Sequence, residues 1–563
     1  MSRSPASGLG VSGSPESGLG GSGTGPSGSG VNDAGRKVAG AAGLLAASVL
    51  VARLLGFVRD ALFANQVGGG AAADAYFAAF LIPDILGYLM AAGAAAVAIM
   101  PPYLKRLEEG GPEAAARFAS VVVGNIGVIA TALTVVLWFA AEPLLRLQFR
   151  GFDEATLAET LHLLRIVLPA QIFFLTGGVL RGVLMAHGHF GPQALASVVY
   201  SAAPILGGLL FAFVGGTGVS GDTFGTADGF AWGTLAGAAI GQWAIPAIAL
   251  RRLPGAIGRI RFGLFDGDFR QYVWLALPLM LGLGLTTVDE WYEKWIGATL
   301  APGSIAAITY ARKLMMAPVG IVGQAVGAAL LPSLTALHQK ADRAGFDSLF
   351  TTTLRTALGL GVLAAGALAT LALPAVRFVY ESGRFSGDDA QVVAGLLVVL
   401  ACAVPGWVVQ QVAVRGFYAR GEMWRAMALS TGIALAVFPL YWWSGREHGV
   451  RGLAVASTTA ITLNALVTVI WLRIRAGAPD PLALAATLVR GTLVVAIAGM
   501  SSAVAVGLLS TRVDRAFVQL GAGGAVYGLV ALVAIRFVGD EPMRAGLSAA
   551  MSRLRRRSSE PPK

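Results

Sequence analysis

Apolar runs of about 20 residues follow one another along most of the 563-residue chain, separated by short segments rich in Gly, Pro and Arg. At about 1.5 Å per helical residue, such a run crosses the roughly 30 Å hydrocarbon core of a bilayer. Fourteen runs qualify, at about 37–64, 72–100, 117–141, 157–185, 193–215, 229–250, 271–298, 303–332, 351–375, 390–413, 424–443, 450–472, 483–510 and 517–538. The pattern predicts an all-α polytopic membrane protein. Composition agrees: 55% of residues are hydrophobic and 13% charged, about half the charged share of a soluble domain. Residues 1–35 hold Gly, Ser and Pro without hydrophobic periodicity. They predict a disordered tail, and no compact signal peptide precedes the first run.

Positive charge sets the topology. With the N-terminus in the cytoplasm, cytoplasmic ends and loops hold 25 Lys and Arg, and the outer loops hold 8. Basic residues accumulate on the cytoplasmic side, so the asymmetry supports an even span count with both ends inside. It also accounts for the formal charge of +11 without a nucleic-acid partner. A faint repeat joins the two halves. Arg181-Gly182 followed by Ala186-His187-Gly188 resembles Arg415-Gly416 followed by Ala419-Arg420-Gly421, 234 residues later. Pro83 and Pro101-Pro102-Tyr103-Leu104 resemble Pro318 and Leu331-Pro332-Ser333-Leu334, at separations of 235 and about 231. The repeat predicts two parallel six-helix lobes, a common transporter plan with the substrate cavity between them. The N-lobe covers 36–252 and the C-lobe 253–476. Two extra helices over 477–540 and a basic cytoplasmic tail over 541–563 follow.

Charges inside the apolar runs single out candidate residues, because a buried charge in a bilayer is costly unless it faces a protein-lined or watery cavity. Span one carries Arg53, Arg59 and Asp60. The two arginines are six residues apart, so they lie within about 120° of one another and can address one cavity if the helix bends at Gly56. Snorkelling to opposite interfaces is the structural alternative. Span two offers Asp74 and, after the kink-forming Pro83, Asp84. These acids would either neutralise the arginines or hold a cation. Asp289, Glu290, Glu293 and Lys294 crowd the end of span seven, and Arg312 and Lys313 sit five residues before Pro318 in span eight. The last two face either Glu290 and Glu293 or an anionic ligand.

Other chemistry is excluded. Cys402 is the sole cysteine and lies inside an apolar run, so there is no disulfide framework and no metal cluster. The five histidines are scattered, and His187 and His189 flank a glycine as in a turn. No nucleotide-binding loop, metalloprotease helix or nucleophile elbow occurs, and no loop is long enough for a catalytic domain. An enzyme is not expected, and no residue is assigned to catalysis or to a metal. The energy source is then an ion gradient, the membrane potential or the substrate gradient.

Two stretches resemble a known family. Ala52-Arg-Leu-Leu-Gly-Phe-Val-Arg-Asp60, Ala73-Asp-Ala-Tyr-Phe-Ala-Ala-Phe80 and Ile82-Pro83 resemble the opening of the MurJ/MviN family. Tyr310-Ala-Arg-Lys-Leu-Met315, Pro318-Val-Gly320 and Leu331-Pro332-Ser333-Leu334 are similar to its span-eight signature. The family comprises lipid II flippases of the multidrug/oligosaccharidyl-lipid/polysaccharide exporter superfamily. The resemblance implies fourteen helices, a cationic central cavity and residence in the bacterial cytoplasmic (inner) membrane with both termini cytoplasmic. It implies diphosphate contacts by Arg53, Arg59 and Lys313, with Arg312 beside them where the family more often has an acid. Asp60 and Asp74 match family acids. At the places of a further family arginine and glutamate this chain has Gly87 and Ala92, with Asp84 at an asparagine position.

The expected activity is translocation of a polyprenyl-diphosphate-linked saccharide, foremost the peptidoglycan precursor lipid II, by alternating access. Arg53, Arg59, Arg312 and Lys313 would bind substrate, and Asp60, Asp74, Asp84, Glu290 and Glu293 would balance charge or couple an ion. No cofactor is expected beyond a coupling cation or the membrane potential. Partners would be membrane lipids and proteins of envelope synthesis. The alternatives are another polyprenyl-linked saccharide as cargo, a non-transporting scaffold of envelope synthesis, or a drug/cation exporter.

Overall fold

The computed structural model describes residues 29–89, 92–215, 224–253, 255–280, 285–510 and 515–545. Residues 1–28 of the tail expected over 1–35, and 546–563 of the basic tail, lie outside them. Helix α1 (Ser29–Val67) begins inside the stretch expected to be disordered, and it runs unbroken through Gly56. Span two opens with two short helices, α2 (Ala71–Ala79) and α3 (Leu81–Leu89). The break falls where Pro83 predicts it: the proline ring collides with the carbonyl four residues earlier, at Ala79. Helix α4 (Ala92–Gln148) turns at Gly111, whose φ of 74° only glycine adopts readily, just ahead of Pro112.

Then come α5 (Glu154–Val167), α6 (Ala170–Ala186), α7 (Gly191–Gly215) and α8 (Phe224–Gly237). A wider turn over Ala238–Ala244 leads into α9 (Ile245–Arg251). The second half holds α10 (Gly267–Met280), α11 (Leu285–Gly297), α12 (Ser304–Gln339), α13 (Arg343–Thr370) and α14 (Ala372–Tyr380). It continues with α15 (Gly387–Ala401), α16 (Val404–Ala419), α17 (Met423–Ala436) and α18 (Phe438–Ala476). The last two helices are α19 (Pro481–Ser510) and α20 (Ala516–Phe537).

The protein is all-α and polytopic. Among the described residues nine helices are long and apolar enough to cross a bilayer, or ten if α15 and α16, bent by 43°, form one span. Residues 90–91 and 281–284, inside spans two and seven, lie outside the described residues. Of the other expected spans, span one carries three charges, and α4 and α18 run parts of two expected spans together through positive-φ glycines, Gly111 and Gly449.

Helices up to α9 pack chiefly on one another, as α4 with α6 and α7 with α8. Those from α11 onward do the same, as α12 with α13, α15 and α16, and α19 and α20 pack together against α13. The halves meet through α10 with α4, α2 with α12, α3 with α11 and α1 with α14.

One meeting point is a polar clamp at the far end of α1. The Asp74 carboxylate accepts from the Gly303 and Ala306 N–H groups at 2.6 and 2.7 Å, capping the start of α12. Tyr310 donates to the Gly68 carbonyl at 2.9 Å, and the Arg384 N–H donates to the Asn65 carbonyl at 2.9 Å. A Cβ on Gly303, whose φ is 88°, would lie 2.4 Å from the Gly69 oxygen, so the two backbones touch.

Candidate functional site

A chamber of about 550 Å³ opens between the halves on the other side of this clamp. Its size suits a phosphorylated headgroup rather than a bare ion. The wall includes Arg53, Arg59, Asp60, Asp84, Glu290, Glu293, Arg312 and Lys313, so α1, α3, α11 and α12 bring eight of the nine expected residues together. The ninth, Asp74, does not line it. Asp74 neither balances the arginines nor faces the chamber, because its carboxylate is consumed by the N-terminal amides of α12.

The charges fall into two clusters. On α1 and α12, Asp60 is shared: Arg59 reaches it at 2.9 Å and the Lys313 ammonium at 2.9 Å. Lys313 also lies 4.6 Å from the centre of the Phe77 ring, which holds its flexible stem over an aromatic face. Arg53 makes no ion pair among the described residues, and its guanidinium lies against Gly320. Two cations therefore share one carboxylate, and Arg53 stands beside them without one among the described residues. Both guanidinium groups reach the chamber from a helix with no break at Gly56, so the bend expected there is not needed.

The second cluster reverses the balance. Arg312, 5% exposed, is held between Asp289 at 2.8 Å and the Glu293 carboxylate, and it also donates to the Ser457 hydroxyl at 2.9 Å. Ser457 and Tyr441 both donate to Asp289. Lys294 approaches Asp84 at 3.9 Å, and Glu290 lines the same wall. Four carboxylates here face two cations. Arg312 thus stands at the chamber with its charge matched by two carboxylates, whereas Arg59 shares Asp60 with Lys313 and Arg53 pairs with no acid among the described residues. Lys294, Tyr76, Tyr200 and Thr234 complete the wall without having been singled out as site residues. Lys294 lies i,i+4 from Glu290, a spacing that favours a local pair, but its ammonium turns to Asp84 of α3 instead.

Gly320 is a testable part of the geometry. A Cβ there would lie 2.5 Å from an Arg53 guanidinium nitrogen, so Gly320→Val should push Arg53 aside while the helix persists. The expected outcome is a partial copy of Arg53→Ala: normal membrane yield, with affinity for a polyprenyl diphosphate lowered on the order of tenfold. Unchanged affinity would show that Arg53 does not contact ligand from this position.

The family model described as "Lipid II flippase MurJ" matches residues 63–520. The chain belongs to that family. Like other chains of the MurJ family, it is a multi-pass protein of the bacterial inner membrane and not an enzyme. A probable lipid II flippase MurJ of Rhizobium tropici is 28% identical over 429 residues, 74% of this chain and 78% of that protein. Its counterpart in Bdellovibrio bacteriovorus (strain ATCC 15356 / DSM 50701 / NCIMB 9529 / HD100) is 28% identical over 449 residues, 77% of this chain and 81% of that protein. A solved lipid II flippase MurJ in an inward closed conformation superposes with a TM-score of 0.70 at 21% identity, covering 88% of this chain and 99% of that one. An inward-facing multidrug resistance MATE family transporter of the MOP superfamily gives 0.64 at 18%, covering 76% and 94%. These two structures share the fold. Gly87 does not line the chamber.

Proposed function

We propose that this chain flips a polyprenyl-diphosphate-linked saccharide, lipid II in the first place, from the cytoplasmic to the outer leaflet. The observation that carries the reading is the chamber beside Arg53, Arg59 and Lys313, where cations outnumber carboxylates. Guanidinium groups bind phosphate oxygens in pairs and stay charged, so two of them suit a diphosphate. Charge is placed where the headgroup sits and nothing covalent is required. The isoprenoid tail remains in lipid at the edge of the bundle.

Alternating access needs two rigid bodies and a gate. The clamp formed by Asp74, Tyr310, Gly303 and Arg384 supports a closed outer gate, since α1 runs outward from a cytoplasmic start. The reading of fourteen spans in two six-helix lobes with two added helices, drawn from the apolar runs and the sequence repeat, has support in two backbone features. Helices α6 and α16 start at Ala170 and Val404, 234 residues apart, and both end before a positive-φ glycine, Gly188 at 74° and Gly421 at 71°.

Expression of the chain in a strain depleted of its own lipid II flippase tests the reading. Restored growth and cell shape are expected. Continued lysis, with the protein present in the membrane, would remove lipid II as the cargo.

A further inference from the structure

Residues 252–266 connect the two halves, and they are pinned to the flank of α4. Tyr103 donates to the Ala256 carbonyl at 3.1 Å, and the Gly258 N–H reaches the Ala116 carbonyl at 3.4 Å. Further along, the Asn125 side chain and the Gly263 backbone exchange two hydrogen bonds of 2.9 and 3.0 Å. A Cβ on Gly124 would lie 2.2 Å from the Arg261 carbonyl oxygen, so the two backbones are in contact there. The chain then turns back: Arg117 approaches Asp266 at 3.9 Å, and Arg106 holds Asp268 at 2.5 Å. Ala116 and Asn125 are nine residues apart, about 13 Å along a helix. The loop therefore runs from the cytoplasmic end of the second part of α4 towards the bilayer and returns.

Its outward side has the composition of a membrane interface. Phe262 and Phe265 are 70% and 101% exposed, Ile260 and Leu264 are exposed beside them, and Arg259 and Arg261 alternate with these apolar groups. Both acids of the loop region, Asp266 and Asp268, are occupied by arginines of α4. The positive-inside count puts the loop on the cytoplasmic face, where anionic headgroups attract basic segments.

We propose that this loop is a lipid anchor. Phe262 and Phe265 seat among the acyl chains of the cytoplasmic leaflet, and Arg259 and Arg261 engage the phosphates of anionic lipids. The occupant is a lipid surface because exposed aromatic groups, alternating cations and bilayer depth coincide on one pinned segment. The loop would hold the first half to the leaflet while the second half moves.

The test uses the full chain in nanodiscs, with Cys402→Ser and Phe265→Cys carrying a polarity-sensitive fluorophore. Labels on Phe139→Cys and Ser382→Cys give the lipid and water references. In phosphatidylglycerol-containing discs the Phe265→Cys label should match the Phe139 reference and be quenched by spin-labelled lipids. In phosphatidylcholine discs, or with Arg259→Gln and Arg261→Gln together, the lipid-seated fraction should fall, with a shift on the order of tenfold in the seated-to-free ratio. A water-like signal in both kinds of disc would overturn the anchor. A lipid-like signal indifferent to both headgroup and arginines would overturn the anionic contact. Each variant is first checked for an unchanged size-exclusion profile.

Discussion

Arg59→Ala protein should reach the membrane folded and fail to sustain a flippase-depleted strain, and Arg53→Ala should do the same. The fold tolerates both losses for local reasons. Removing Arg59 leaves Asp60 paired with Lys313, and removing Arg53 leaves no carboxylate alone. What is lost is a charged donor aimed at the ligand. A hydrogen bond to a charged group is worth about 1.5–3 kcal/mol, or about 10- to 100-fold in affinity. Arg→Lys at either position should restore only part of it, since the ammonium keeps the charge and loses the fork. Membrane yield with growth separates this outcome from misfolding: full yield without growth is expected, and full yield with growth would remove the two residues from the transport machinery.

Arg312→Met should behave oppositely. Its guanidinium is the counter-charge of Asp289 and Glu293, and stripping it leaves two nearly buried carboxylates together without it. Breaking a buried ion pair from one side costs about 3–5 kcal/mol, enough to take a large part of the net stability of a typical protein. Folded yield should therefore collapse. The triple change Arg312→Met, Asp289→Asn, Glu293→Gln removes the stranded charges along with the guanidinium and should recover much of it. Thermal denaturation of detergent-solubilised protein reads both effects. A stable Arg312→Met protein that no longer transports would instead make Arg312 a ligand group equal to Arg53.

The contrast between these adjacent cases bears on what sequence can disclose. Arg53, Arg59, Arg312 and Lys313 were legible because a charge in an apolar run is conspicuous and costly. Their partners were not. Glu293 lies 19 residues from Arg312, but Asp60 lies 253 from Lys313, and Asp74 finds its amides 229 and 232 residues away. Hydropathy carries no information about such distances. Asp74 looks from sequence like Asp60, and only the approach of the start of α12 makes it a helix cap. Tyr200 and Thr234 were invisible for another reason: tyrosine and threonine occur in apolar helices without any chamber beside them. The helical, membrane-spanning character was plain from run length, whereas the breaks between α2 and α3 and between α5 and α6 depend on local proline chemistry and packing that hydropathy averages away.

On the proposed function, the cations of α1 and α12 hold a diphosphate in the chamber between the halves. Equilibrium binding of a short-chain polyprenyl diphosphate to purified wild-type, Arg53→Ala and Arg59→Ala protein tests it most directly, with the polyprenyl alcohol as the uncharged control. The account predicts saturable binding of the diphosphate by wild-type protein, at least tenfold weaker binding by each variant, and no discrimination among the three proteins by the alcohol. Equal affinity of all three for the diphosphate, in protein of equal stability, would contradict it.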